Sequence, residues 1–293
     1  MINLKPDSVA QFERLMSSVE MLLPRPVQPV DWSTCYAANW RRHSFSGYLE
    51  PVKVTDNTRL DQLLGVEEQK QTMLNNTRQF LQGLPANNAL LWGSRGTGKS
   101  SIVKALLNEL GEKGLRIIQV EKEDLIYISE IFAAVEEQPY RFIMLCDDLS
   151  FEVGELSYKM LKSALDGSVY SAPENVLIYV TSNRRYLLPE YEGDHLGGKY
   201  VKGELQQSEI QEEKSSLSDR FGIWVPFHVF SQERYLEAVK LCVERWGEKL
   251  GREIPWSQDL EQTAIKWSRD KSKRCGRTAF QFSKNWVGKY LLE

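Results

Sequence analysis

Histidine and cysteine are scarce in this chain. The three histidines, His43, His195 and His228, are scattered, which argues against a histidine-based metal centre. The four cysteines, Cys35, Cys146, Cys242 and Cys275, form no CxxC pair and no cluster with histidine. They read as isolated thiols rather than disulfide partners or zinc ligands. No run of about 18 apolar residues occurs, so no segment is expected to span a membrane. The first residues, MINLKPDSVAQFERLMSSVEMLLPRP, carry charges throughout and lack the continuous apolar stretch of a signal peptide. Neither sign of charge dominates: 37 Lys and Arg stand against 40 Asp and Glu, a net charge of −3. Any contact with nucleic acid therefore has to come from a local patch. These absences together fit a protein of the reducing cytoplasm.

The 293 residues, 42% of them hydrophobic, suffice for one large domain with an accessory unit, or for two domains. Three regions differ in pattern. Residues 1–58 hold a helical periodicity over Ser8–Leu23, with Val9, Phe12, Leu15, Met16 and Val19 on one face. The stretch Asp31–Val54 that follows is rich in aromatics: Trp32, Tyr36, Trp40, Phe45 and Tyr48. It reads as a strap packed on the main domain, although its Arg41-Arg42-His43 triplet also suits phosphate contacts. From residue 59 to 230, short apolar strands alternate with helices. Strands are expected at Ala89–Trp92, Arg116–Val120, Phe142–Cys146, Val176–Thr181 and Ile223–Phe227. Helices are expected at Gly65–Gln82, Ser100–Leu110, Leu125–Glu137 and Glu155–Leu165. Continuous apolar strands between amphipathic helices indicate an α/β fold, with a parallel sheet covered on both faces. Residues 231–293 are purely helical in pattern, with candidates Gln232–Leu250, Gln258–Ser268 and Thr278–Leu291. The segment Arg184–Ser218 is long, polar and poor in strand signals, as functional loops often are.

The chemistry concentrates in three places. Gly93-Ser94-Arg95-Gly96-Thr97-Gly98-Lys99-Ser100 matches G-x-x-x-x-G-K-[ST] in full, between an expected strand and an expected helix, with Ser101 next on that helix. Glycines let backbone N–H groups turn inward around phosphates, and the helix N-terminus adds a favourable dipole. ATP is the expected ligand, with Lys99 reaching its β- and γ-phosphates and the Ser100 hydroxyl on Mg²⁺. Second, the apolar strand Phe142–Cys146 runs into Asp147-Asp148. Asp147 suits Mg²⁺ held partly through water, and Asp148 suits orientation of an attacking water. Third, Leu177–Asn183 is a buried strand ending in polar groups. Strand ends line the ligand crevice of a parallel sheet, so Asn183 is placed to touch the γ-phosphate or the water.

In this order of motifs the chain resembles the AAA+ ATPases. Within them it is similar to a widespread bacterial group with CDDLSFE, TSNRR and LSDRFG stretches, here Cys146–Glu152, Thr181–Arg185 and Leu217–Gly222. The resemblance covers about residues 60–293. It implies a five-stranded parallel sheet of strand order 5-1-4-3-2 and a small helical lid. It implies Asn183 as sensor 1 and Arg220 as an arginine finger acting on the ATP of a neighbouring copy, hence a homo-oligomer. It implies Arg277, in Cys275-Gly-Arg-Thr-Ala-Phe-Gln-Phe282, as a sensor 2 arginine on the lid. From the residues alone, Arg220 reads also as a solvated helix-end residue. Arg277 reads also as part of the basic run Arg269–Arg277, a solvated charge run or nucleic-acid patch.

Many members of that superfamily have Asp-Glu where this chain has Asp147-Asp148. The shorter side chain suggests slower, switch-like hydrolysis, with Glu152 as a substitute base. Two functions remain open. One is an ATPase that remodels or loads an unidentified protein or nucleic acid. The other is a nucleic-acid-binding initiator or helicase loader in which ATP holds an assembly together. The acid pair, the basic run and Arg41–His43 favour the second. The net charge, and the lack of a recognisable helix-turn-helix or zinc module, oppose it.

Overall fold

The computed structural model describes residues 29–43, 46–52, 58–152, 154–166, 172–188, 199–201, 204–206 and 217–292. The helix expected over Ser8–Leu23, and most of the polar segment 184–218, lie outside these residues.

The sheet begins with β1 (Ala37–His43) and β2 (Ser46–Pro51). It continues with β3 (Ala89–Gly93), β4 (Leu115–Gln119), β5 (Arg141–Cys146), β6 (Val176–Ser182) and, after two short strands, β9 (Ile223–Phe227). The spatial order is β2-β1-β4-β5-β6-β3-β9. From β1 to β9 all neighbours are parallel; β2 alone runs antiparallel, against β1. The five strands from β4 to β9 have the order expected from the resemblance. Two strands more than expected are present, because the aromatic stretch read as a strap pairs with β4 instead: Ala37 stands opposite Ile117 and Asn39 opposite Gln119. The pair β7 (Lys199–Val201) and β8 (Glu204–Gln206) forms a separate antiparallel ladder.

Both faces of the sheet are buried, as parallel strands require. Leu90, Ile118, Met144, Ile178 and Val180 point to one face and share a core with Trp32, Trp40 and Leu49 of the N-terminal residues. Leu91, Ile117, Ile143, Leu145 and Tyr179 point to the other. There they meet α1 (Glu67–Leu81) through Met73 and Phe80, and α2 (Lys99–Leu110) through Ile102, Leu106 and Leu110. The first face is covered by α3 (Ile128–Ala133) and α4 (Leu156–Leu165). The helix expected over Leu125–Glu137 is shorter than its pattern suggested. Residues Lys122–Tyr127 form a 3-10 turn, and only Ile128–Ala133 are α-helical. Leu125, Ile128 and Ile131 are buried three residues apart, a spacing that suits the tighter turn.

Three helices follow: α5 (Gln232–Leu250), α6 (Gln258–Asp270) and α7 (Gly276–Tyr290). Ser231 and Ser257 cap the first two, each accepting a backbone N–H three residues on. Tyr235, Val239, Val243, Leu260, Ala264, Ala279, Phe282 and Val287 form a core of their own.

Candidate nucleotide-binding site

The loop Gly93–Ser100 leaves the carboxyl end of β3 and enters α2. Its first glycine has φ +128°, and a Cβ there would lie 2.0 Å from the Phe227 carbonyl oxygen at the end of β9. Only glycine allows that approach, which the Ser94 N–H uses to donate to Phe227 at 3.2 Å. Thr97 closes the loop by donating to the Ser94 carbonyl at 2.7 Å. Arg95, Gly96, Thr97, Gly98, Lys99, Ser100 and Ser101 line a cleft of about 760 Å³.

Strands β5 and β6 deliver the acids and the amide. Asp147 accepts from the Ser100 hydroxyl, and from Thr181 Oγ1 at 2.5 Å. Asp148 has φ +55°, a left-handed conformation uncommon for any residue but glycine. Its N–H donates to Thr181 Oγ1 at 2.9 Å, and its carboxylate accepts from Asn183 Nδ2. Thr181 therefore ties both acids to β6. Sequence reading passed over it, although it heads the T-S-N stretch. Lys99 is only 7% exposed. Its ammonium donates to the Gly93 and Ser94 carbonyls at 2.8 and 2.9 Å and to Asn183 Oδ1 at 3.2 Å. Burial pushes the Lys99 pKa below its ordinary value, opposed by the charges of Asp148 and Asp147.

The opposite wall comes from the helical unit and the segment before α1. Phe230, Ala238, Leu241, Cys242, Arg245, Arg277 and Phe280 line the cleft together with Thr58, Leu63, Leu64 and Val66. Of this half of the cleft, the sequence pointed only to Arg277, through the resemblance. The Arg277 N–H donates to the Gly96 carbonyl at 3.1 Å, which seats the start of α7 on the loop. Two residues with expected roles lie elsewhere. Arg220 is outside the cleft and forms an ion pair with Asp166. Glu152 also does not line the cleft. Of the basic triplet, Arg41 pairs with Glu50 at 3.1 Å and Arg42 with Asp124 at 2.6 Å, so neither faces the cleft.

The donor set at Ser100 and Asp147 is a hydroxyl and a carboxylate, the hard oxygens that Mg²⁺ takes alongside phosphate and water. The residues present therefore fit that ion. Among the described residues no cluster of three or more His, Cys, Asp or Glu is arranged to hold a metal without such help.

A family model described as "Protein of unknown function (DUF815)" matches residues 33–290. The chain belongs to that family. The sequence matches none of the curated proteins. Among solved structures, this family member is similar to the Thermotoga maritima RuvB Holliday junction branch migration motor, with a TM-score of 0.50 at 18% identity. Two single-substitution variants of that RuvB give TM-scores of 0.51 and 0.52 at 18% and 17% identity. In all three, 78% of this chain is covered, against 63 or 64% of the RuvB chain. The chain thus spans less than two thirds of the length of the motor it matches. The likeness is one of fold, and the order of strands β4 to β9 is the one that the resemblance to the AAA+ family implied. Among the described residues, no helix of this DUF815 member is long and apolar enough to cross a membrane.

Proposed function

We propose that this chain is a Mg²⁺-dependent AAA+ ATPase whose nucleotide cycle remodels or loads a macromolecule. The observation that carries the reading is the meeting of Lys99, Ser100, Asp147, Asp148 and Asn183 at one end of a cleft, with Arg277 on the facing wall. On this reading residues 59–230 form the nucleotide-binding body and 231–293 the lid, with residues 1–58 as an N-terminal addition. The loop from Gly93 to Ser101 holds the phosphates through its inward N–H groups, and Lys99 leaves the loop carbonyls to neutralise them. Ser100 and Asp147 hold Mg²⁺, which when bound neutralises charge on the phosphates. Asp148 orients the attacking water, and Asn183 fixes Asp148 through its amide. Arg277 reports the terminal phosphate to the lid. Arg220 serves a neighbouring copy of the chain, which makes hydrolysis depend on assembly.

Calorimetry on wild type and Lys99→Ala tests the reading. ATP should bind the wild type in the presence of Mg²⁺ and be lost from a folded Lys99→Ala protein. Equal affinity in the two would sink the assignment. The basic run Arg269–Arg277 favours a second reading, an ATP-switched loader on nucleic acid, and the RuvB similar in fold is itself a Holliday junction motor. Binding to single- and double-stranded DNA that falls steeply with salt would support it.

A further inference from the structure

Arg95 stands in the third place of the phosphate-binding loop, with its side chain 65% exposed. Its guanidinium reaches Asp148 Oδ2 at 3.5 Å. Two features of the site aim Asp148 at the loop. The first is its left-handed backbone, held by Thr181. The second is the Asn183 amide on its other oxygen. Lys99 is turned inward on the Gly93 and Ser94 carbonyls at the same time. The loop cations are thus spent on the protein's own oxygens, and the pair that Arg95 makes is the more exposed of the two. An exposed single-contact ion pair is weak and screened. A terminal phosphate carries more charge than a carboxylate and accepts a guanidinium through two parallel bonds.

We propose that Arg95 is the residue that distinguishes a triphosphate from a diphosphate in this cleft. Resting on the ATPase reading above, the inference is that Arg95 exchanges Asp148 for the terminal phosphate. In a P-loop the backbone cradles the inner phosphates while the lysine reaches outward to the last. The additional phosphoryl group of ATP is therefore what meets the Asp148 end of the cleft. While Arg95 and Asn183 each hold one oxygen of Asp148, that carboxylate is poorly placed to draw a proton from water. When a triphosphate takes Arg95, the carboxylate is released at the moment a water must be oriented. A diphosphate leaves the pair as it stands. The same exchange gives the protein a way to hold an idle site closed to water activation.

The experiment measures affinities for ADP and for the non-hydrolysable imido analogue of ATP, both with Mg²⁺, on wild type, Arg95→Ala and Arg95→Lys. A bond from a charged donor suggests a loss of about 10- to 100-fold for the analogue in Arg95→Ala. ADP affinity should stay at the wild-type value, and Arg95→Lys should recover part of the difference. Because the side chain is exposed, thermal melting should not move. Equal loss for both ligands would make Arg95 an ordinary part of the loop and overturn the inference. So would a full analogue affinity in Arg95→Ala. The ATPase reading survives either result, since it fails only if the wild type binds neither nucleotide or if Lys99→Ala binds both normally.

Discussion

On the sheet side of the cleft, side chains are tied to one another across strands. Ser100 and Thr181 converge on Asp147, Thr181 and Asn183 on Asp148, and Asn183 meets Lys99. The helical unit meets the loop differently. The Arg277 N–H bonds to Gly96, and the helical residues that line the cleft are the apolar or thiol-bearing Phe230, Ala238, Leu241, Cys242 and Phe280, with two arginines, Arg245 and Arg277. Its core is separate from the two cores that sandwich the sheet. The difference suggests a division of labour. The sheet presents groups whose positions are set before a ligand arrives, which suits charge stabilisation and water orientation. The helical unit has a core of its own and meets the loop through the Arg277 N–H, an arrangement that suits reporting whether a ligand is there.

The largest test of this division concerns a residue on neither wall. Arg220 precedes β9 and pairs with Asp166. If it serves a neighbour's ATP, Arg220→Ala should bind nucleotide normally and hydrolyse it roughly 10³–10⁵-fold more slowly. Mixing it with Lys99→Ala should restore part of the rate, since one variant keeps its pocket and the other its finger. Concentration-independent turnover, with no rescue on mixing, would return Arg220 to a local structural role beside Asp166.

On the sheet wall, Asp148→Asn keeps the shape and the contact from Asn183 but removes the charge. Hydrolysis should fall on the order of 10²–10⁴-fold with ATP still bound. An unchanged rate would move water activation to another acid. Glu152 is a poor substitute, since it does not line the cleft.

Gly96 tests the joint between the two walls. Its φ is +79°, and a Cβ there would come within 2.9 Å of both Arg277 Cβ and Cys275 Sγ. Gly96→Ala should cost about 1–3 kcal/mol in backbone strain and also push α7 off the loop, weakening ATP binding. Gly114→Ala is the control. There φ is +101° and nothing lies within 4 Å of the added carbon, so stability should fall without any change in nucleotide affinity. If the two variants bind ATP alike, the contact between α7 and the loop is incidental.

The sheet wall was legible because its chemistry is local in sequence. A loop of fixed spacing, an apolar strand ending in two acids and another ending in T-S-N each announce a strand end, and parallel pairing then brings the ends together. The order of strands β4 to β9 came from the resemblance, since periodicity cannot rank strands. Of the helical side of the cleft only Arg277 was legible, through the resemblance. The rest of that side is assembled from residues 58–66 and 230–245, which carry no motif and reach the cleft only through tertiary packing. The N-terminal aromatics misled for a related reason. A residue such as Trp40, only 3% exposed, fits a surface strap and a buried strand equally well until its neighbours are known.

The smallest expected effect on the cleft belongs to the device that fastens those neighbours. Arg116 on β4 is only 3% exposed, and its guanidinium lies between the rings of Tyr36 at 4.6 Å and Tyr140 at 4.1 Å. It donates to the carbonyls of Trp32 at 2.8 Å, Gly111 at 2.7 Å and Leu115 at 2.8 Å. One side chain thus links the segment entering β1 to the end of α2 and to β4. Arg116→Ala removes the stack and leaves three carbonyls without that donor. The loss should be roughly 2–4 kcal/mol in a denaturant melt. Arg116→Lys should recover little of it, because an ammonium has neither the flat face for two rings nor the fork for several carbonyls. Nucleotide affinity, measured on the folded variant, should not change, because Arg116 does not line the cleft. A parallel loss of ATP binding would mean that the N-terminal strands help set the loop through α2. The contrast between the two walls would then have to include a third partner, reaching the site from behind the sheet.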